Sequence, residues 1–282
     1  FGTLALYLAR RLLGDVVNKS TNYCEPACGT MAFLSFVKAI TMPRFYCPIP
    51  LVSGSTLELP ERVMRHVQVL RLQTGDGVVL FNGDGNDVAA EIVEMGRKSV
   101  SVLLKEVKAC DTESPLHLSL VQSLSSGERM EFTLQKCVEL GVSVFQPIIS
   151  ERCVLRLQGE RADKRLLRWQ EIVISACEQS GRSRVPQVLP VLKLSEYLAT
   201  KSASELHILL SVVNEQGLQH LPQAATQAVL MAGPEGGFSA QEEAQILSSG
   251  FVPLGLGPRV LRTETAAMTA VACLQARWGD FH

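Results

Sequence analysis

The chain has 282 residues, a length that favours two domains. Hydrophobic residues make up 46% and charged residues 20%, which is typical of a globular protein, and no apolar run approaches the roughly 20 residues of a membrane span. The formal net charge of −1 excludes a globally basic nucleic-acid binder, although a local basic surface can still bind RNA.

The first segment, residues 1–41, differs in composition from the rest. It carries little charge and no clear strand pattern, and a targeting peptide is one interpretation of it. Met42 begins "MPRFYCPIPL", which reads as a natural start. We therefore expect residues 1–41 to be a non-native or poorly ordered upstream extension that folding and activity do not require.

The eight cysteines are scattered, and Cys24 and Cys28 form the one close pair. No further His or Cys clusters near that pair, so we expect no metal site. Four others, Cys137, Cys153, Cys177 and Cys273, fit small core residues of a reduced, cytosolic protein.

Residues 42–110 are rich in strand patterns. The segment "PERVMRHVQVLRLQTGD" predicts a short helix, and "VVLFN", "DVAAEIVEM" and "SVSVLLKEV" predict strands. "NGDGN" between the first two strands is a hairpin signal, because Asn-Gly and Asp-Gly tolerate positive φ. These features predict a small β-barrel, and the polar segment "KACDTESP" predicts a domain boundary after it.

Residues 114–282 alternate between predicted strands and helices, which favours a parallel sheet. Strands are predicted at "LHLSLVQSL", "VSVFQPII", "ELHILLSV", "QAVLMAG" and "GFVPLGLG". Helices are predicted at "GERMEFTLQKCVELG", "ADKRLLRWQEIVISACEQSG", "SAQEEAQILSSG" and "TETAAMTAVACLQARW". Gly141 and Gly181 are helix stops, Ser239 and Glu242 have the spacing of a capping box, and Thr263 is a predicted N-cap.

Several common catalytic motifs are absent from the sequence. It has no P-loop, no G-x-G-x-x-G after an early strand, no H-E-x-x-H and no nucleophile elbow. Two late segments stand out instead, "GPEGGFS" at 233–239 and "LGLGPRVLRTETAA" at 254–267. Each follows a predicted strand, and ligands of open α/β sheets bind outside the carboxyl ends of strands. Their spacing alone favours two ordinary turns that join strands to helices.

This pair of loops resembles the cofactor loops of the SPOUT methyltransferases, and more narrowly those of the RsmE family. The resemblance covers nearly all of residues 42–282. It includes "PRFY", "HVQVLRLQTGD", "ESPLHLSL", "GERMEFTLQKCVELGV", "SERC", "ACEQSGRSRVP" and "RWGD". One departure is Ser126, because many relatives carry lysine before the glycine of "SGERMEF".

The resemblance implies a fold and an activity. The fold is a SPOUT-type knotted α/β domain with a parallel sheet over 114–282, preceded by a PUA-like β-barrel that binds RNA over 42–110. The activity is transfer of a methyl group from S-adenosylmethionine to N3 of one uridine in 16S ribosomal RNA. The implied partners are that RNA or the 30S subunit and a second copy of the chain, in the cytoplasm, with neither membrane nor metal.

The resemblance also implies which residues line the cofactor site, mostly through main-chain groups. The candidates are Leu210, Gly233, Pro234, Glu235, Gly236, Gly237, Leu256, Gly257, Val260, Leu261, Arg262 and Thr265. We expect adenine to lie against Leu256 and Leu261. Glu235 either holds the shape of its loop or touches the cofactor.

Uracil N3 carries a proton, and its removal leaves negative charge on the two flanking carbonyl oxygens. A cation aimed at them would stabilise that charge. Arg262 is the first candidate, with a phosphate contact or an ion pair with Glu264 as alternatives. Glu139 and Glu178 are candidate proton acceptors, with ordinary solvated glutamate as the alternative for each.

The RNA candidates are the basic residues Arg44, Arg65, His66, Arg71, Arg129, Arg152 and Arg182. A solvated charged face is the alternative for any of them, and His66 fits a partly buried helix position equally well. Two other functions remain open: a non-catalytic RNA-binding module, and a different small-molecule enzyme that uses the same loops.

Overall fold

The computed structural model describes residues 42–110, 112–155, 157, 159–202, 205–212 and 216–281. The extension over 1–41, with Cys24 and Cys28, lies outside the described residues. Pro43–His282 form one compact unit, which holds two β-sheets.

The first sheet has five strands in the order β1-β3-β4-β5-β2. Its elements are β1 (Arg44–Tyr46), β2 (Thr56–Glu58), α1 (Glu61–Val69), β3 (Gly77–Phe81), β4 (Asn86–Met95) and β5 (Val100–Ala109). β3–β4 and β4–β5 pair antiparallel, while β1 pairs parallel with β3. The predicted helix and three strands are confirmed. β1 and β2 were not predicted, because three residues are too few to show an alternating pattern.

One face of α1 closes the core of this sheet. Val63, Met64 and Val67 occur at helical spacing and are buried. They pack with alternate residues of the strands, including Val78, Leu80, Val88, Ile92, Val100, Val102 and Leu104. The opposite face of the helix carries exposed Arg65.

The second sheet is parallel in every pairing that the structure describes, in the order β12-β10-β11-β6-β7-β8, with β9 beside β7. Its strands are β6 (His117–Ser123), β7 (Val144–Ile149), β8 (Gln187–Val188), β9 (Leu192–Lys193), β10 (Leu206–Leu210), β11 (Gln227–Ala232) and β12 (Val252–Leu254). Its helices are α2 (Gly127–Glu139), α3 (Glu160–Ser180), α4 (Leu194–Thr200), α5 (Ala240–Ser248) and α6 (Thr263–Trp278). A parallel sheet was predicted and is confirmed, whereas β8, β9 and α4 were not predicted.

Helices cover both faces of this sheet. On one face α2, α3 and α6 bury residues such as Leu134, Val173 and Val271 against Leu118, Leu120 and Leu230 of β6 and β11. On the other face α4 and α5 bury Leu194, Tyr197 and Ile246 against Val121, Val229 and Met231. Successive strand residues therefore point to opposite helix layers, which explains why β11 is apolar after its first residue and why Leu118, Leu120 and Val121 of β6 are all buried.

Polar side chains and Phe81 join the two sheets. Phe81 of β3 is fully buried in the core of the second sheet. Arg44 Nη2 donates to Asp87 Oδ1 and to Ser183 Oγ, each at 2.9 Å. The main-chain N–H of Tyr46 donates to Glu178 Oε1 at 3.0 Å, and the Glu178 side chain is only 7% exposed.

The structure tests the predicted burial of the cysteines and the expected absence of a membrane span. Cys137, Cys153 and Cys177 are buried as predicted, while Cys273 is half-buried. In the part of the chain that the structure describes, no helix is both long enough and apolar enough to cross a membrane.

Arg182 fixes the junction between α2, α3 and β7. It follows Gly181, whose left-handed backbone (φ +84) ends α3. Its guanidinium is buried and donates to Glu113 Oε1 at 3.0 Å, Glu113 Oε2 at 2.6 Å, and the carbonyl oxygens of Val138 (3.0 Å) and Val142 (2.8 Å).

We expect Arg182→Met to lower the free energy of unfolding by about 3 kcal/mol, because it leaves buried carbonyl groups and a carboxylate without a partner. Urea unfolding measures the change. Arg168→Met is the control, because the Arg168 side chain is 62% exposed and contacts Glu131 at 3.3 Å. It should shift stability by less than about 0.5 kcal/mol, and equal losses in the two variants would contradict this role for Arg182.

Candidate active site

The two glycine-rich loops lie at the same edge of the second sheet. In the parallel register Leu210 is opposite Leu254, and Ala232 is opposite Gln122. The carboxyl ends of β12, β10, β11 and β6 therefore lie side by side. The loops that follow β11 and β12 leave the sheet at this edge, which is where ligands bind in open α/β folds.

The first loop is a tight turn that leads into α5. The N–H of Gly237 donates to the carbonyl oxygen of Pro234 at 2.9 Å, and Gly237 has φ +66, which favours glycine. A Cβ atom built on Gly237 would meet no atom within 4 Å. Ser239 and Glu242 then form the predicted capping box of α5, which is confirmed.

Gln122 and Thr263 hold the two loops together. The Thr263 hydroxyl donates to the carbonyl oxygen of Gly233 at 2.6 Å. Gln122 Nε2 lies 3.2 Å from that oxygen and 3.2 Å from Thr263 Oγ1. The prediction of Thr263 as the cap of α6 was wrong. The N-cap is Arg262, and Thr263 is the first helical residue, whose hydroxyl turns towards the other loop.

Glu235 ties the first loop to the start of α2. Its Oε1 accepts the N–H of Ser126 at 2.8 Å and lies 3.3 Å from Arg129 Nη1. Arg129 Nε also lies 4.0 Å from Glu264 Oε1, so one guanidinium bridges the carboxylates of both loops. Burial raises the pKa of the Glu235 carboxyl, but hydrogen bonds from Ser126 and its own main chain, together with Arg129, outweigh burial and hold the pKa below its ordinary value of 4.5.

The remaining cofactor candidates line the same edge. Leu210, Leu256 and Leu261 are half-buried, while Gly257 (φ +87), Val260, Arg262 and Thr265 are exposed. Pro234 is buried, and the Gly236 carbonyl oxygen accepts a hydrogen bond from Arg152 Nη1 at 3.0 Å. The structure thus brings all twelve of the predicted cofactor residues to the carboxyl edge of the sheet.

The structure does not bring the three catalytic candidates together. Arg262 is exposed at the start of α6, beside the loops. Glu139 ends α2, about 15 Å along the helix from Arg129, and pairs with Lys136 at 2.7 Å. Glu178 lies near the end of α3, where it binds the main chain of β1. Each glutamate thus contacts a group of the protein itself, and both remain predictions as proton acceptors.

The seven RNA candidates fall into two groups. Arg65, His66 and Arg71 are exposed on or just after α1, where Arg65 pairs with Glu61 and His66 Nδ1 lies 4.0 Å from Glu178 Oε2. Arg44, Arg129, Arg152 and Arg182 bind groups of the protein itself, as described above. Arg182 was wrongly predicted to contact RNA, because it is 4% exposed and all three of its guanidinium nitrogens are bonded internally.

Sequence patterns did not predict Gln122, Ser125 or the role of Glu264 in this site. Gln122 is 1% exposed and Ser125 is fully buried, yet Gln122 Oε1, Ser125 Oγ and Glu264 Oε2 have no hydrogen-bond partner. Gln122 could have been found from the sequence. It lies near the carboxyl end of the predicted strand "LHLSLVQS", where a buried glutamine needs a hydrogen-bond partner.

Comparisons with known proteins define the class of this fold and site. A family model described as an RNA methyltransferase domain matches residues 112–275, and one described as an RNA methyltransferase PUA domain matches residues 59–105. The protein is thus an α/β RNA methyltransferase of the SPOUT class with a PUA-like N-terminal domain.

Individual relatives narrow the class. The "Ribosomal RNA small subunit methyltransferase E" of Buchnera aphidicola is 32% identical, over 85% of this chain and 98% of its own length. A protein of that name from Neisseria gonorrhoeae, solved bound to S-adenosyl methionine, is 45% identical, with a TM-score of 0.81 over 86% of this chain and all of its own. A putative methyltransferase from Legionella pneumophila, solved with the bound cofactor SAM, is 39% identical, with a TM-score of 0.83 over 85% and 99% of the two chains. The chain belongs to the ribosomal RNA small subunit methyltransferase E family.

Glu235→Gln should lower the free energy of unfolding by about 1 kcal/mol at pH 7, because the carboxylate is stabilised in the folded state. A folded-state pKa below 4.5 gives stability that is present at higher pH and is lost as the pH falls through that lowered pKa. The difference between variant and wild type should therefore shrink as the pH falls below about 4.5. Urea unfolding at a series of pH values tests this.

Glu160→Gln is the control for Glu235→Gln, because the Glu160 side chain is 91% exposed. It should match the wild type within about 0.5 kcal/mol at every pH. A Glu235→Gln difference that persists unchanged in acid would show that the charge of this carboxylate does not stabilise the loop.

Proposed function

We propose that this chain transfers a methyl group from S-adenosylmethionine to N3 of one uridine of 16S ribosomal RNA. The observation that carries the proposal is the hydrogen-bonded pair of glycine-rich loops at the carboxyl edge of the parallel sheet. The two solved relatives above, 45% and 39% identical, hold S-adenosylmethionine, which supports the same cofactor here.

The residues at this edge fit such a cofactor. Gly237 and Gly257 both have positive φ and open space where a side chain would stand, so their main chains are accessible. Leu210, Leu256 and Leu261 supply half-buried apolar surface for an adenine ring. Buried oxygens of Gln122, Glu235 and Glu264 lack partners and can accept hydrogen bonds from a ligand.

The bound cofactor would supply an activated methyl group, so the protein's main task is to position the acceptor. Holding two reactants in line can lower the barrier by roughly 7–11 kcal/mol. The loops suit this task because Thr263, Gln122 and Glu235 fix them through hydrogen bonds.

The nucleobase must lose its N3 proton as the methyl group arrives. Arg262 is exposed beside the loops, and we assign it to stabilise the negative charge on the uracil oxygens. We assign no proton acceptor, because Glu139 pairs with Lys136 and Glu178 binds the main chain of β1. The target base must leave its stack to reach the site.

We further propose that residues 42–110 bind RNA and that residues 114–282 carry out the transfer. Arg65, His66 and Arg71 present exposed basic and aromatic groups on the first of these regions. The substrate is 16S ribosomal RNA, either free or within the 30S subunit, and the location is the cytoplasm.

A homodimer is also proposed. Phe132 on α2, Leu167 on α3 and Val260 in the second loop are 44%, 68% and 85% exposed. Large exposed apolar side chains of this kind suit an interface with a second copy.

Small ribosomal subunits that lack the modification, incubated with methyl-labelled S-adenosylmethionine, test the function. We expect label at one uridine of 16S ribosomal RNA, recovered as N3-methyluridine after digestion, and none in subunits that are already methylated. Absence of label, together with no cofactor binding in calorimetry, would instead identify an RNA-binding module. Label confined to a small molecule would identify a different enzyme.

Gly237→Val should weaken S-adenosylmethionine binding by about 100-fold or more, because the side chain would occupy open space beside the loop and strain its backbone. Gly250→Val is a matched control. Gly250 also has positive φ (+96) and open surroundings, but it lies at the opposite end of α5. Calorimetry should show near-normal affinity in the control, and equal affinities in the two variants would remove the first loop from the site.

A further inference from the structure

Four buried side-chain atoms without hydrogen-bond partners lie around the two loops. They are Gln122 Oε1, Ser125 Oγ, Glu235 Oε2 and Glu264 Oε2. Gln122 and Ser125 are 1% and 0% exposed. A buried polar atom without a partner is costly, so four of them at one edge indicate a ligand that completes them.

Hydrogen bonds and ion pairs connect these four residues through their chain neighbours and Arg129. Gln122 Nε2 contacts Gly233 and Thr263, which lie two residues before Glu235 and one before Glu264. Ser125 precedes Ser126, whose N–H binds Glu235 Oε1. Arg129 contacts the Oε1 atoms of both carboxylates. We call Gln122, Ser125, Glu235 and Glu264 the carboxylate recess.

The charge of the carboxylate recess defines its ligand. Two carboxylates face one guanidinium, which leaves a formal charge of −1. Arg129 occupies the Oε1 atoms and leaves both Oε2 atoms without a partner. Three of the four unpartnered atoms can only accept hydrogen bonds. The complementary group is therefore a cation with several N–H donors.

We propose that the carboxylate recess binds the ammonium group of the amino-acid part of S-adenosylmethionine. This inference rests on the proposed function. The sulfonium carries charge but no N–H, so it cannot satisfy the unpartnered oxygens, whereas an ammonium has three donors. Glu264 is the main ligand, because its contact with Arg129 is long and its other oxygen is buried. An arginine or lysine side chain from a second copy of the chain would also present a cation with N–H donors. It is the competing occupant of the recess.

Glu264→Gln tests the proposal with three ligands in titration calorimetry. S-adenosylmethionine and S-adenosylhomocysteine both carry the ammonium group, whereas 5′-methylthioadenosine lacks the whole amino-acid part. We expect the variant to bind the first two about tenfold or more weakly, because a charged hydrogen bond is lost. Its affinity for 5′-methylthioadenosine should stay within about twofold of the wild type.

Glu171→Gln is the matched control for charge at a distance, because the Glu171 side chain is 51% exposed on α3. It should leave all three affinities unchanged. Glu235→Gln provides a second test, because an amide oxygen can still accept the Ser126 N–H while the unpartnered oxygen becomes an amide nitrogen. It should reproduce the selective loss.

The outcomes separate this inference from the proposed function. If the wild type binds none of the three ligands, the proposed function fails. If it binds them and Glu264→Gln weakens all three equally, or none, only the ammonium assignment fails. If the variant keeps its affinities but loses self-association in sedimentation, the recess belongs to a second copy and the assignment is overturned.

Discussion

The structure of the site depends on one main-chain carbonyl group, that of Gly233. It accepts the Thr263 hydroxyl and lies 3.2 Å from the Gln122 amide nitrogen, so the loop after β11, the start of α6 and the end of β6 share one hydrogen-bonded centre. Because Gln122 and Gly233 are buried or half-buried, little water competes for these bonds. Two loops that are 30 residues apart in sequence thus become one site.

Glu235 and Arg129 extend this centre towards α2. Glu235 binds the N–H of Ser126, at the N-cap of α2, where a carboxylate also interacts favourably with the helix dipole. Arg129 then bridges to Glu264 at the start of α6. The unpartnered oxygens that remain after these contacts define a negatively charged recess, so the contacts that hold the loops also set the charge presented to a ligand.

Much of the fold could be predicted from the sequence because the patterns were long or specific. The capping box at Ser239, the stops at Gly141 and Gly181 and the apolar strand β11 are local features. Strands of two or three residues, such as β1 and β8, are too short to show the alternating hydrophobic pattern that predicts a strand. The position of the two glycine-rich loops at one edge of the sheet was predictable, because each follows a strand of a parallel sheet. Arg182 was misjudged, because a residue type does not show which partner a charge finds.

The sequence by itself determined the parallel α/β architecture, the position of the glycine loops after strands and the family resemblance, because each depends on residue types at fixed spacing. Tertiary structure alone decided which polar and charged groups remain available to bind a ligand. Arg44 and Arg182 are bonded internally, while Gln122 Oε1, Ser125 Oγ and Glu264 Oε2 are buried without hydrogen-bond partners. Pairing and burial arise from contacts between distant segments, and these contacts, rather than local pattern, set the energy of a buried polar group.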